Sequence, residues 1–352
     1  MRILVHEAVS GGGIAGRDAP ASLVREGATM LAAVVADLSA LGRHRIVTTA
    51  DPRRPPAVPP GVEIVPLSRR QGVARLDDLM ASADAVWLIA PEMGRCLEHL
   101  AARVARHGKR LLGSDAATIR DASDKARLPR RLEGRGASHP VTRVLSSSSR
   151  ADWLATARDV GFPLLVKPAC GAGCRGVRLV RAPRELERAL EESRAEVRGR
   201  VLLQRFVRGT AASVSLLADG RRAVALAVNG QSVRGARTFS YGGGQTPLHH
   251  PLAGQAADAA VTACGAFPGL RGFVGVDLVL TDTDAIVLEV NPRVTTAYVG
   301  VRRALDVNLA ALVLEVCDGR LPAVPPARRS VRFTAGGRIV SSALCLPLRL
   351  SA

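Results

Sequence analysis

Four residues late in the chain combine types that ordinary surface composition does not require. Glu289, Asn291 and Arg293 alternate in Glu289-Val290-Asn291-Pro292-Arg293, and Asp277 stands twelve residues before Glu289. The run from Phe273 to Leu280 is apolar and β-branched, Thr281-Asp282-Thr283-Asp284 is a turn signal, and Ala285 to Val290 reads as a second strand. A hairpin folded about Thr283 sets Asp277 opposite Glu289. The two-residue period of a strand then puts Asn291 on the face of Glu289, and Arg293 too if the strand runs that far. Hard cations such as magnesium take oxygen ligands of this kind, usually one or two carboxylates together with the oxygens of a bound phosphate. A guanidinium beside them can hold a further anion. A solvated surface hairpin needs no such alternation of acid, amide and Arg on an apolar strand.

The basic residues give a second signal. Of 49 Lys plus Arg, only Lys109, Lys125 and Lys167 are lysines. In so Arg-rich a chain, a lysine suggests a place that needs a compact ammonium and not a fork. Lys167 ends the apolar run Phe162-Pro163-Leu164-Leu165-Val166-Lys167-Pro168. The glycine-rich stretch Cys170 to Gly176, with Gly171, Gly173 and Gly176, follows, and then Val177-Arg178-Leu179-Val180. That pattern is strand, glycine loop, strand. Backbone amides of such a loop can cradle phosphate oxygens, with a lysine as point charge beside them. It is not a Walker A loop, because the lysine precedes the glycines and no helix follows.

Taken together, these motifs resemble the ATP-grasp superfamily of carboxylate–amine ligases, over about residues 115 to 310. The resemblance implies ATP and Mg2+ as cofactors, with Mn2+ able to substitute. It implies that Lys125 in Ser123-Asp124-Lys125 and Lys167 are the two nucleotide-binding lysines, and that 170–176 is a flap over the phosphates. Leu202 to Gly209 resembles the hinge that reads adenine. Gln204, Arg205, Phe206 and Val207 then border the base, largely through backbone groups at Arg205 and Val207. Asp277, Glu289 and Asn291 match the magnesium positions, and Arg293 matches the arginine that steadies the acylphosphate and its transition state. Two positions depart from the pattern. The hinge begins with Gln204 where Glu is usual, and Ala211-Ala212 stands where a Glu usually binds the ribose hydroxyls.

Three further stretches are similar to the tyramine–glutamate ligase group, which joins glutamate to an amine in methanofuran or methylofuran synthesis. They are His6-Glu7-Ala8-Val9-Ser10-Gly11-Gly12-Gly13, Tyr241-Gly242-Gly243-Gly244-Gln245-Thr246-Pro247, and Asn291 to Gly300 with Thr295-Thr296. Glu7, Ser10, Gly11 and Gly12 follow the first strand, at the carboxyl end where a co-substrate could reach, and are candidate substrate residues together with Tyr241, Thr295 and Thr296 of the other two stretches. Arg234 and Arg237 join them as cations able to meet a substrate carboxylate. Glu7 is also the candidate base for the amine.

The elements that must hold these residues follow from pattern and length. A chain of 352 residues exceeds one ordinary core and suggests two or three subdomains. Residues 1–113 alternate strands (2–9, 46–49, 62–65, 85–89, 110–113) with helices (22–41, 97–107). That order predicts a parallel α/β domain whose ligands bind at the carboxyl ends of the strands. Residues 114–200 are expected to form a smaller lid carrying the flap, with a helix beginning at Asp124-Lys125 and another over 183–197. Residues 201–320 are expected to form a mixed sheet carrying hinge and metal hairpin, covered by helices over 253–267 and 301–316. Asn229 to His250 reads as a long glycine-rich loop with His249-His250 at the surface, and Ser146–Ser149 as a loop. The tail 321–352 begins with a linker at 322–326 and holds two short strands. The fold class is therefore α/β, the ATP-grasp arrangement of three parts.

Composition excludes other classes. The formal net charge of +18 invites a nucleic-acid reading. The arginines, however, are spread along the chain, with only short pairs such as Arg53-Arg54, Arg69-Arg70 and Arg130-Arg131, and aromatics are 3% of the chain, too few for base stacking. A positive field suits ATP and an acidic co-substrate instead. Apolar runs are too short for a membrane helix, and no long apolar signal follows Met1, so a cytoplasmic location is expected. The six cysteines lack metal-ligand spacing and read as reduced thiols, with Cys170 and Cys174 as small filler beside the flap glycines. The expected partners are small-molecule carboxylate and amine substrates, with neither nucleic acid nor membrane. A homodimer is compatible with this reading.

The expected chemistry has two steps. A carboxylate attacks the γ-phosphate of ATP to give an acylphosphate, and an amine displaces phosphate to give an amide. Two alternatives share the motifs: an ATP-grasp ligase making a dipeptide or other conjugate, and a nucleotide-binding protein without turnover.

Overall fold

The computed structural model describes residues 1–12, 19–68, 72–146, 149–171 and 173–345. Gly13, the pair Arg69-Arg70, Ser147-Ser148 of the serine run and Ala172 of the flap lie outside these. Three sheets build the chain.

The first is parallel. It comprises β1 (Arg2–Glu7), α1 (Ala21–Ala40), β2 (Arg45–Ala50), β3 (Glu63–Pro66), α2 (Gly72–Ser82), β4 (Ala85–Ile89), α3 (Cys96–Arg106) and β5 (Arg110–Leu111), with strand order β3-β2-β1-β4-β5. β1 and β4 run as nearly continuous apolar segments because both their faces are covered. Ile3, Val5, Trp87 and Ile89 pack with Leu31, Val34 and Leu38 of α1, and Leu4, Val86 and Leu88 pack with Leu76, Met80 and Leu100 of α2 and α3. Helix α2 adds to the elements expected from the sequence.

The second sheet is small and antiparallel. After α4 (Ala116–Ala122) and α5 (Leu128–Leu132) come β6 (Thr142–Leu145), α6 (Arg150–Val160), β7 (Leu164–Pro168), β8 (Arg178–Val180), α7 (Leu186–Glu196) and β9 (Val201–Arg205), in the order β6-β9-β7-β8. Two expectations are corrected here. The hinge strand β9 pairs with β6 and β7, so it closes the lid sheet and does not open the next one. Lys125 lies in the turn between α4 and α5 and does not start a helix; its amide donates to the Ala169 carbonyl at 3.0 Å, which anchors that turn to the flap strand. Ala122, Leu128, Leu132 and Ala137 pack into the core of the third sheet, so the first part of 114–200 belongs with that core.

The third sheet holds β10 (Thr210–Asp219), β11 (Ala223–Arg234), β12 (Ser240–Thr246), β13 (Arg271–Leu280), β14 (Ala285–Asn291), β15 (Arg329–Thr334) and β16 (Ile339–Leu344). Its order is β14-β13-β10-β11-β12-β15-β16, and every pairing is antiparallel where a mixed sheet was expected. The stretch 229–250 is mostly the hairpin β11–β12 and not a loop. Helix α8 (Ala253–Gly265) covers one face, and α9 (Ala297–Leu305) and α10 (Leu309–Cys317) the other, packed against α1. The expected single helix over 301–316 breaks at Asp306, which is left-handed, and restarts where the Asn308 side chain accepts the Ala311 amide at 3.0 Å. Among the described residues, no helix is long and apolar enough to cross a membrane.

Candidate functional site

A cavity of about 760 Å³ opens between the four-stranded and seven-stranded sheets. Its floor is the β13–β14 hairpin, where the register sets Asp277 directly opposite Glu289. Asn291 donates its Nδ2 to Asp277 Oδ2 at 3.1 Å, which leaves its Oδ1 as a further oxygen donor. The sequence reading of this face therefore corresponds to the observed side-chain arrangement. Gln231 on β11, which that reading missed, donates Nε2 to Asp277 Oδ1 at 2.9 Å.

Both lysines reach the floor. Lys125 Nζ lies 2.9 Å from Glu289 Oε2 and donates to the Gly171 carbonyl at 2.9 Å. Lys167, only 6% exposed, lies one residue before the end of β7 and also lines the cavity. Burial pulls its ammonium down to about 8, opposed by Glu289 and assisted by Lys125. Burial and the neighbouring Glu289 raise Asp277 above the usual carboxylate range. Burial also works against ionisation of Glu289, but Lys125 and Lys167 overcome it and hold that carboxyl low. Two acids thus face each other across the hairpin, with the Asn291 amide oxygen beside them. Two carboxylates and an amide oxygen suit a hard ion. Among the described residues no group of three or more His, Cys, Asp or Glu side chains is gathered for a metal. This donor set thus fits an ion that brings phosphate oxygens of its own, as magnesium does.

The hinge forms the far wall. Gln204, Arg205, Phe206 and Val207 all line the cavity, as does Ala211. The Gln204 amide donates to Thr142 Oγ1 at 2.8 Å. The Arg205 amide donates to the Val141 carbonyl at 2.8 Å and that of Phe206 to the Pro163 carbonyl at 3.1 Å. A base at this wall would therefore meet the Arg205 carbonyl and the groups of Val207. Phe206 also pairs with Phe239 from the β11–β12 tip, ring centroids 6.5 Å apart. Four arginines (Arg175, Arg181, Arg205, Arg208) and the two lysines line the cavity against two acids, a balance suited to a polyanion.

Several predicted residues sit elsewhere. Gly171 and Gly173 border the cavity, but the Gly176 amide donates to Glu196 Oε2 at 2.8 Å on α7 and so faces away from a phosphate. Glu7 is turned onto its own loop: it accepts from the Val9 amide at 3.0 Å, from Ser10 Oγ at 2.6 Å and from the Ser10 amide. A Cβ at Gly27 would come 2.5 Å from its Cδ, so α1 seals the carboxyl in. Gly11 and Gly12 complete this closed turn. Arg237 donates to Glu192 Oε1 at 2.8 Å, tying the hairpin tip to the lid, while Arg234 is exposed. Thr295 accepts the Tyr298 amide through its carbonyl at the start of α9, and Thr296 donates its hydroxyl to Glu26 on α1. Tyr241 is half-buried; burial, then the nearby Asp277 and Glu26, keep its phenol protonated. His250 accepts the Leu252 amide at 3.1 Å.

Arg293 lies beyond the acid pair, toward the parallel sheet, where it meets Glu92. Sequence reasoning missed Glu92, although Ala90-Pro91-Glu92 follows β4 at the carboxyl end of a parallel strand, the rule that singled out Glu7.

This architecture matches a known one. A model of the ATP-grasp domain matches residues 122–297, half of the chain, and a pre-ATP-grasp model matches residues 44–119. The chain belongs to the ATP-grasp family. It is 32% identical over 242 residues to the carbamoyl phosphate synthase large chain of Thermus thermophilus, an alignment covering 67% of this chain and 23% of that protein. The chain thus spans under a quarter of the length of the curated relatives it matches. Its structure is similar to an ATP-grasp superfamily protein from Archaeoglobus fulgidus, with a TM-score of 0.69 and 22% identity, covering 94% of this chain and 92% of the other. It is also similar to an L-amino acid ligase from Bacillus licheniformis, with a TM-score of 0.67 and 17% identity, covering 94% and 80%. The ATP-grasp fold, with its parallel amino-terminal sheet and antiparallel sheets beyond, is the one expected from the motifs.

Proposed function

We propose that this ATP-grasp protein is an ATP-dependent ligase that joins a carboxylate to an amine through an acylphosphate. The observation that carries this reading is the convergence of Asp277, Glu289 and Asn291 with Lys125 and Lys167 at one end of a cavity whose other end is the hinge. ATP lies along that cavity with its base at Arg205–Val207 and its phosphates at the lysines. Magnesium, or manganese with similar ligand preference, would be held by Asp277, Glu289 and Asn291 and would neutralise charge on the phosphates. A substrate carboxylate oxygen bonds to the γ-phosphorus and the bond to the β-bridging oxygen breaks, releasing ADP. The amine nitrogen then adds to the acyl carbon, inorganic phosphate leaves, and the amine loses a proton to give the amide. Lys125 and Lys167 hold the phosphates, and the flap over 170–176 excludes the water that would hydrolyse the acylphosphate. No nucleophilic Ser or Cys is needed, because the protein aligns and neutralises.

For substrates, the reading is glutamate as the carboxylate and an amine such as tyramine or tyrosine, as in methylofuran-type cofactor synthesis. Its support is the sequence similarity around residues 6–13, 241–247 and 291–300. The test is ADP release from MgATP with glutamate and a panel of amines (tyramine, tyrosine, amino acids, glutamyl peptides), with products identified by mass. Amine-dependent ADP release and a new amide are expected, and Lys167→Ala should lose both while still folding. Full activity in that variant would sink the assignment. ATP binding without turnover on any amine would leave a nucleotide-binding protein.

A further inference from the structure

Arg293 is held by a residue from the opposite end of the chain. Its Nε donates to Glu92 Oε1 at 2.7 Å and its Nη2 to Glu92 Oε2 at 2.9 Å, a side-on fork. Its Nη1 donates to the Val294 carbonyl at 3.1 Å. A guanidinium carries five N–H groups, so these bonds leave one hydrogen on each Nη. Two hydrogens on adjacent nitrogens match the bidentate geometry of an oxyanion.

Glu92 is 5% exposed and follows β4 directly. Among the described residues neither it nor Arg293 lines the nucleotide cavity, whereas Glu289, on the strand leading to Arg293, does. The pair therefore stands past the metal ligands, on the side where a second substrate would meet the γ-phosphate. A loose arginine keeps the rotamer freedom of a long side chain, and a fork on its Nε edge removes that freedom.

We propose that Glu92 is a positioning residue. By clamping the Nε edge of Arg293 it aims the two remaining Nη hydrogens at the oxygen that gains charge in the transferring phosphoryl group and the tetrahedral intermediate. The parallel amino-terminal domain thereby contributes to the chemical step and not only to substrate binding. This rests on the ligase reading. An ion pair that merely glued two sheets together would alter stability and leave turnover of the folded protein untouched.

The test uses the full chain with Glu92→Gln, Glu92→Asp, Arg293→Ala and the Glu92→Gln/Arg293→Ala double variant. Each is assayed for amine-dependent ADP release, for MgAMP-PNP binding and for folding by circular dichroism. Loss of the clamp should lower kcat about 10- to 100-fold in Glu92→Gln, with KM for ATP and MgAMP-PNP affinity within about threefold of wild type. Glu92→Asp, which keeps the charge on a shorter stem, should fall between, and it carries the test if Glu92→Gln does not fold. The double variant should be no slower than Arg293→Ala alone, because Glu92 acts through Arg293. An unaffected kcat in folded Glu92→Gln, a KM for ATP rising in step with the loss, or a double variant slower by the product of the single effects would each overturn the proposal. A wild type that binds no MgAMP-PNP, or turns over with no amine, would instead overturn the ligase reading beneath it.

Discussion

The hairpins β13–β14 and β11–β12 belong to one sheet, and both reach the cavity, yet they carry their information in opposite ways. In β13–β14 it lies in what is present: Asp277, Glu289 and Asn291 stand at register positions that put every polar group on one face, over a buried apolar face of Val276, Leu278, Val287 and Val290. In β11–β12 much of it lies in what is missing. A Cβ on Gly244 would come 2.6 Å from the Gly230 carbonyl oxygen and 2.8 Å from Phe333 Cζ. One on Gly300, at the end of the other glycine-bearing motif, would come 2.6 Å from Phe333 Cε1. Both glycines are seats for the ring of Phe333 on β15, a strand from the tail. A motif that resembles a substrate signature is thus in part a packing device, and the two hairpins should respond differently to the same kind of insult.

The sharpest contrast comes from Glu289→Ala. It removes the carboxylate proposed to hold the cation and the partner of Lys125, but its position opens on the cavity, so no packing is lost. Turnover should fall by about a thousandfold or more while the thermal midpoint stays within a few degrees of wild type. If folding is lost instead, the acid pair is a structural device like the glycines, and the contrast collapses.

The converse insult is Gly300→Ala. On propensity alone an alanine here would stabilise α9 by about 1 kcal/mol. The clash with Phe333 should outweigh that and destabilise by about 1–3 kcal/mol, with turnover retained in the folded fraction. Phe333→Ala should cost about 3–5 kcal/mol by itself. In that background Gly300→Ala should turn neutral or stabilising, because the ring it struck is gone. Chemical denaturation of the four proteins closes the cycle, and additive losses would show that the glycine answers to something other than Phe333.

The difference also explains what could be read from the chain alone. Asp277, Glu289 and Asn291 are legible because a strand has a fixed period, so chemistry-bearing residues on one face announce themselves within a few positions, and Lys167 is legible because lysine is scarce in this chain and a glycine loop follows it. The parallel domain is legible for the same reason: β1 and β4 are apolar on both faces and helices separate the strands. The assignment of β9 failed, since which sheet a strand joins depends on Thr142–Leu145 far upstream, and strand propensity says nothing of partners. The stretch 229–250 looked like a loop because glycine is a poor strand former; its glycines pair within the hairpin, Gly230 with Gln245 and Gly244 with Gln231, and β15 from the tail adds a partner on the outer side of Gly243 and Gly244. Glu92 escaped for a similar reason. Its meaning comes from Arg293, at the other end of the chain. Glu7 had the better local pattern and proved to be closing its own turn.

Gln231 is where the two hairpins touch, and it offers the finest test of their division. It sits on β11, the hairpin read by its absences, yet its Nε2 holds Asp277 Oδ1 at 2.9 Å on β13. With Asn291 on Oδ2, both oxygens of Asp277 have a donor that fixes the carboxylate plane. Residues that orient a metal ligand without touching the metal commonly change metal affinity about 10- to 100-fold when removed. Gln231→Leu keeps the bulk, loses the donor and leaves Asn291 in place, so the low end of that range is expected. The magnesium concentration for half-maximal turnover should rise about tenfold, while kcat at saturating magnesium recovers most of the wild-type rate. A variant whose kcat stays low at every magnesium concentration would mean that Gln231 acts on the phosphates and not through Asp277. A variant indistinguishable from wild type would mean that Asn291 alone suffices to orient the acid, and that β11 contributes space to this site and nothing else.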